Sequence, residues 1–166
     1  MKTLLLIRHA KSSWDDLNQA DFDRPLNERG KTDAPRMAER LYKKDILIDT
    51  FISSPAKRAK KTAEIFADQY GIKKSAILFV PSLYDAGINT FYDVISNASQ
   101  KSNSVAIFSH NPGITDFANS LTSTRIDNMP TCSIFAVKIK IKQWSQFKDA
   151  DKELYFFEFP KSSQVD

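Results

Sequence analysis

The chain opens on a continuous apolar run, TLLLIR at residues 3–8, with no alternation of polar and apolar positions. That is the pattern of a strand buried on both faces. Residues 10–30 are polar and irregular. Ala34, Met37, Ala38, Leu41 and Tyr42 then fall at i, i+3, i+4, i+7 and i+8, one stripe of a helix. Residues 49–53 (DTFIS) read as a second strand. Ser54 and Pro55 read as the N-cap and first-turn proline of the next helix, whose stripe is Ala59, Ala63, Phe66, Ala67 and Tyr70 and which Gly71 ends. A third strand is expected at 77–80, a helical stripe at Ile88, Phe91, Tyr92 and Ile95, and a fourth strand at 105–108. Asn111-Pro112 opens a helix carrying Ile114, Phe117, Ala118 and Leu121.

Two later segments differ. SIFAVKIKIK (133–142) and ELYFFEF (153–159) alternate in part, across a polar stretch at 143–152, the signature of an antiparallel pair at one side of a sheet. Lys138, Lys140 and Lys142 read as a solvated strand face that discourages edge pairing. The order βαβαβαβα followed by two strands predicts an α/β fold: a three-layer α/β/α sandwich, with a mostly parallel central sheet and an antiparallel C-terminal strand pair. One domain over residues 1–160 is expected, with 161–166 a loose tail. No repeat and no linker interrupts it.

Composition narrows the class without naming an activity. The 166 residues are 42% hydrophobic and 27% charged, near the globular average. Twenty-four Lys and Arg against 20 Asp and Glu give a net charge of +4. That mild excess permits anionic ligands but, with acids interspersed throughout, gives no argument for nucleic acid. The single cysteine, Cys132, excludes an intramolecular disulfide and a cysteine zinc cluster and reads as a small buried residue. Leu4–Ile7 is too short for a signal h-region or a membrane span, so a soluble cytoplasmic setting with no membrane partner is expected.

The reactive residues stand at strand ends. In open α/β sheets ligands bind beyond the carboxyl ends of the strands. The first strand ends in Arg8-His9. The second ends in Ser53-Ser54-Pro55, with Arg58 one turn into the following helix. Tyr84-Asp85 follows the third, and the fourth ends in Ser109-His110-Asn111. The chain has only two histidines, and each ends a strand. If those strands are neighbours, two imidazoles and two guanidinium forks face one mouth. Guanidinium forks match a tetrahedral oxyanion, a neutral imidazole beside them can attack phosphorus, and helix N-termini add N–H donors. Two histidines with a carboxylate could also hold zinc or iron, but Arg8 and Arg58 would set positive charge against the cation.

These residues resemble a known family. LIRHAKS (6–12) is similar to the opening Arg-His-Gly motif of the histidine phosphatase superfamily, which includes the phosphoglycerate mutases. SSPAKRA (53–59) with Thr62-Ala63 resembles its second arginine motif, SHNPG (109–113) its second histidine motif, and DRPLNERG (23–30) is also typical. Ala10 in place of the usual glycine, the short chain and the intact His110–Gly113 segment are closest to the small SixA-type phosphohistidine phosphatases. The matched motifs span residues 3–121.

The resemblance implies that His9 is the nucleophile and is transiently phosphorylated, while Arg8, Arg58 and His110 bind the phosphoryl group. Ser12 and Asn111 complete the expected phosphate-binding set. No metal and no cofactor are implied. Phosphoryl transfer asks mainly for positioning and charge stabilisation, and His9 must be neutral, one ring nitrogen donating to a backbone carbonyl. The nearby arginines are expected to help keep it deprotonated.

Two departures matter. The usual glutamate or aspartate that protonates the leaving group corresponds to the region of Asp85, which is the candidate acid and also reads as a solvated loop residue. Asp15 follows Trp14 where relatives carry an asparagine; a carboxylate there is expected to point outward or to orient an arginine. Larger relatives carry insertions that cap the pocket, and this chain has little material for a lid beyond the loop at 10–30. An open mouth suits a phosphorylated side chain on another protein. The run Lys57-Arg58-Lys60-Lys61 reads as a solvated face with Arg58 turned inward, or as a greeting surface for an acidic partner. The leading expectation is a protein phosphohistidine phosphatase. A phosphatase for small phosphorylated molecules and a non-catalytic phosphate-binding module are the alternatives. No oligomeric state is legible.

Overall fold

The computed structural model describes residues 1–162. Six strands form one sheet: β1 (Lys2–Arg8), β2 (Thr50–Ser53), β3 (Leu78–Phe79), β4 (Ser104–Ser109), β5 (Ile134–Ile139) and β6 (Lys152–Glu158). Their order across the sheet is β3-β2-β4-β1-β5-β6. The first four in that order run parallel, and β5 and β6 are antiparallel. Four helices, α1 (Glu28–Lys43), α2 (Lys57–Gln69), α3 (Ile88–Ser96) and α4 (Gly113–Leu121), cover the two faces. The α/β class and the antiparallel C-terminal pair are as the sequence pattern predicts.

The unbroken apolar run of β1 has a simple cause. Leu5 and Ile7 pack into a core with Ala34, Met37, Ala63 and Phe66 of α1 and α2. Leu4 and Leu6 point the other way, into a core with Phe91, Ile95, Ile114 and Phe117 of α3 and α4. Alternate residues of a strand serve opposite faces, so a central strand between two helical layers has no polar position to spare. β4 repeats the arrangement, with Ala106 and Phe108 on one side and Val105 and Ile107 on the other.

Several local expectations change. Ser54 is not an N-cap: α2 is capped by Ala56 without a side-chain bond, and the Ser54 hydroxyl accepts from the Ala56 N–H instead. The basic alternation of 133–142 is not an edge. β5 lies between β1 and β6, and Lys138 sits over the Tyr155 ring at 4.0 Å. The sheet's edges are β6 and the two-residue β3. The loop at 10–30 is pinned at its ends rather than structureless. Ser12 bridges to Leu26, the Ser13 N–H donates to the Pro25 carbonyl and the Asn27 N–H to that of Lys11. Most of the expected tail, 161–166, lies outside the described residues. Arg40 donates to the carbonyls of Phe159 and Pro160 just before it.

Two glycines let loops close against helix starts. A Cβ at Gly30 would stand 2.2 Å from the Lys11 carbonyl oxygen, and one at Gly113 would stand 2.0 Å from that of Ala86, whereas Gly87 has open space. Gly30→Ala and Gly113→Ala should therefore each cost about 1–3 kcal/mol through overpacking, against less than about 1 kcal/mol for Gly87→Ala. Urea unfolding of the three variants checks this; equal losses at all three positions would contradict it.

Candidate active site

The site is built by register. Arg8 at the end of β1 pairs with Ser109 at the end of β4, so the next residues, His9 and His110, leave neighbouring parallel strands at equivalent places. Strands lie about 4.8 Å apart, and the two imidazole centroids are 5.1 Å apart. On the other side of β4, Ser53 pairs with Phe108. The Ser54 N–H donates to the Phe108 carbonyl, and Ser54 Oγ shares a 2.8 Å hydrogen bond with His110 Nε2. His110 is thus held between His9 and Ser54.

Arg58 arrives from the first turn of α2. Its Nε–H faces His9 Nε2 at 3.3 Å. The placement of α2 is tied to the residue after His9: the Ala10 N–H donates to Thr62 Oγ1, and the Thr62 hydroxyl donates to the Arg58 carbonyl. His9 Nδ1 lies 2.8 Å from the Ala10 carbonyl oxygen. A carbonyl only accepts, so Nδ1 carries the proton and Nε2 keeps its lone pair. Arg8 donates through one Nη to the Met129 carbonyl at 2.8 Å. Its Nε, and His110 Nδ1, are buried without a partner. Buried polar atoms are rarely left so unless something else completes them.

Arg8, His9, Arg58 and His110 line one cavity of about 190 Å³, together with Ser12 and Asn111. The structure therefore brings together six of the seven residues expected from the sequence. Ser12 Oγ accepts from an Arg24 Nη. The Asn111 amide is fully engaged: it donates to Asn128 Oδ1 and the Met129 carbonyl, and accepts from the Thr115 hydroxyl. It shapes the wall and has no free side-chain donor. Asp85 is the exception. It is exposed, does not line the cavity, and the described residues give it no hydrogen bond or ion pair. Asp15 also stands outside the cavity, exposed to solvent.

Asp21, Arg24 and Tyr84 had no role assigned from sequence. Asp21 accepts from Arg58 Nη2 through Oδ2 at 3.0 Å and from Arg24 through Oδ1 at 2.9 Å, and its carbonyl takes a second Arg58 Nη at 2.7 Å. The Tyr84 hydroxyl donates to the same Oδ2 at 2.5 Å, while the Tyr84 ring stands edge-on to His110. Arg24 lies in the cavity wall, 3.3 Å over the Trp14 ring. Arg24 belongs to the recognised DRPLNERG stretch, and that was the available signal. Asp21 opens a single 3-10 turn, Asp21–Asp23, too short for periodicity or charge counting to say which side chain turns inward.

Electrostatics hold both imidazoles neutral. Burial pushes His9 down to about 3, with His110, Arg58 and Arg8 adding to the effect and the Ala10 carbonyl opposing it. Burial and then Arg58 push His110 down to about 4. Desolvation, rather than the arginines, is the larger cause. Burial and Arg58 lower Arg8 from its ordinary value. The Asp21 carboxyl is held well below the usual range, first by the Tyr84 hydroxyl and then by Arg24 and Arg58. Among the described residues no group of three or more His, Cys, Asp or Glu is placed to hold a metal ion. What the arrangement can do is present one imidazole lone pair to an oxyanion whose oxygens meet guanidinium and imidazole donors.

The profile of the histidine phosphatase superfamily (branch 1) matches residues 4–79. An uncharacterized chloroplastic protein of Arabidopsis thaliana is 29% identical over 153 residues, covering 87% of this chain and 70% of its own length. Among solved structures, SixA from Agrobacterium tumefaciens superposes with a TM-score of 0.79 at 24% identity, covering 95% of this chain and 97% of its own. The protein histidine phosphatase SixA complexed with tungstate gives 0.80 at 20% identity, with the same coverage. At these identities the superpositions establish a shared fold.

The imidazoles' depressed values set a pH expectation. The unfolded chain takes up these protons near pH 6.5, the folded one only near 4 and 3. Stability contributed by the neutral imidazoles is therefore lost as pH falls from about 6.5 toward 4. With only two histidines to assign, an NMR titration should find both rings neutral at about pH 5.5; a midpoint above 6 for either would contradict the geometry.

Proposed function

We propose, on the premise that the chain belongs to the histidine phosphatase superfamily, that it removes a phosphoryl group from phosphohistidine on a protein, through its own transiently phosphorylated His9. His9 Nε2 attacks phosphorus in line as the bond from phosphorus to the substrate nitrogen breaks. The substrate ring, which carries a proton from solvent on its other nitrogen, takes the bonding pair and departs as neutral imidazole, and the phosphoryl group resides on Nε2. Water then attacks phosphorus, inorganic phosphate leaves, and neutral His9 is restored. The His9 Nδ1–H···Ala10 bond holds the ring and steadies the positive charge that builds on it.

Arg8, Arg58 and His110 meet the equatorial oxygens of the transferring group. Arg8 Nε and His110 Nδ1 are the orphaned atoms of the cavity wall. When the Ser54 hydroxyl donates to His110 Nε2, Nδ1 carries the hydrogen and is a free donor. In this reading the cations and donors of the chain itself supply the charge stabilisation.

One observation carries the choice of substrate. The carboxyl group bonded into the site, Asp21, is an ionised acceptor gripped by two arginines and a hydroxyl, and Asp85 stands in solvent outside the cavity. An alkoxide is a poor leaving group and needs a proton in the transition state. Imidazole, whose conjugate acid has a pKa of about 6.5, leaves far more readily. A site with arginines and a nucleophile but no carboxylic acid aimed at the leaving group favours the phosphorus–nitrogen bond over the ester.

A side-by-side assay on a phosphohistidine protein, a phosphotyrosine peptide and a sugar phosphate tests the reading. Phosphohistidine should be turned over fastest, and His9→Ala should remove at least about 10³-fold of that activity. Arg58→Ala should cost about 10²–10³-fold in kcat, and Asp85→Asn should stay within about twofold, since a solvated carboxylate adds little. Efficient sugar phosphate turnover that Asp85→Asn abolishes, with none on phosphohistidine, would overturn it.

A further inference from the structure

Beside the catalytic cavity lies a larger cleft of about 560 Å³, between the first turns of α1 and α2. Phe22, Pro25, Leu26 and Pro55 supply its apolar lining, and Lys31, Lys57, Lys60 and Lys61 its cations. The partition between cleft and cavity is one short segment: Phe22 sits between Asp21 and Asp23, and Pro25 follows Arg24. On the other side Lys57 immediately precedes Arg58. Whatever fills the cleft therefore lies next to the phosphoryl-binding groups.

We propose that this cleft receives an acidic stretch of the substrate protein's own chain, adjacent to the phosphorylated side chain. The inference rests on the phosphoprotein reading above and extends it to what flanks the phosphorylated residue.

The charges are placed at a cost to the fold. Lys57, Lys60 and Lys61 lie in or beside the first turn of α2, which has no acidic residue. Cations there oppose the positive end of the helix dipole. Glu64 and Asp23 also line the cleft, but neither forms an ion pair with these lysines among the described residues. Lys60 rests over the Phe79 ring at 5.6 Å, and Lys31 reaches only the solvated Glu28, at 3.4 Å. Four lysines against two carboxylates leave the lining positive. An acidic segment would meet the lysines and lay its apolar atoms on Phe22 and the prolines. The same charges would raise its local concentration at the cavity mouth.

The test uses the full chain and two dye-labelled decapeptides of alternating residues, Glu-Gly and Gln-Gly, with fluorescence anisotropy as readout. The Glu peptide should bind about tenfold more tightly than the Gln peptide at low salt and lose that margin as salt rises. The triple variant K57A/K60A/K61A should abolish the margin. It should leave hydrolysis of phosphoramidate, a small phosphorus–nitrogen substrate, within about twofold of the unchanged protein. Its thermal stability should be retained or raised, since the helix dipole is no longer opposed. The pair K140A/K142A, well away from the cleft in sequence, should bind as the unchanged protein does. Equal binding of the two peptides, or a triple variant that binds like the unchanged protein, would overturn the inference. Lysine-dependent binding in a protein that hydrolyses neither phosphoramidate nor phosphohistidine would instead sink the phosphatase reading, and with it the assignment of the acidic segment to a substrate, leaving only a lysine-lined cleft that binds acidic chains.

Discussion

The pairing of β1 with β4 in parallel, Arg8 against Ser109, is the constraint on which the site depends. It sets two imidazoles side by side although 100 residues of chain separate them. A slip of one residue in that register would turn alternate side chains to the opposite face. The register cannot easily slip, because both strands are packed on both sides by the two helical cores. The energy that fixes the two imidazoles is thus hydrophobic burial some distance from them. The hydrogen bonds of His9, Ser54 and Thr62 then orient the rings and the start of α2.

Burial has a second consequence at the strand ends. It keeps both imidazoles neutral, which serves a nucleophile but also opposes the gathering of guanidinium groups around it. Asp21 resolves the conflict from the loop side. It engages Arg58 with carboxylate and carbonyl together, holds Arg24, and takes the Tyr84 hydroxyl. The site therefore has its own internal anion near the arginines, half-exposed and bonded to Arg58 and Arg24 rather than to His9. Such an arrangement keeps cations pre-positioned without neutralising the cavity itself, the condition under which electrostatic stabilisation needs little reorganisation.

Much of this was legible in the chain because the informative residues occupy regular elements. TLLLIR gives its strand away by having no polar position, and Arg8-His9 follows from its end. The stripe of α2 fixes which way Arg58 turns, since Ala59, Ala63 and Phe66 must face the sheet. The neutral tautomer of His9, with Nδ1 on a backbone carbonyl, follows from the chemistry alone. What the pattern could not yield lies in loops. Asp21 and Asp23 are the two ends of one 3-10 turn, and only tertiary contact decides that Asp21 grips the arginines. Ser54 looks like a helix cap by local rules, yet its hydroxyl is drawn to His110, across one strand spacing. Asp85 sits at the place the family pattern points to, and the turn after β3 leaves it in solvent.

The claim that His9 Nε2 becomes the phosphoryl carrier admits a direct measurement. The protein is mixed with a phosphohistidine substrate, quenched within milliseconds under alkaline conditions that preserve phosphorus–nitrogen bonds, and digested for mass spectrometry. The geometry predicts a phosphoryl group on the peptide containing His9 and none on the peptide containing His110. Phosphate released in the steady state with no labelled His9, or a label found on His110, would contradict the account at its centre.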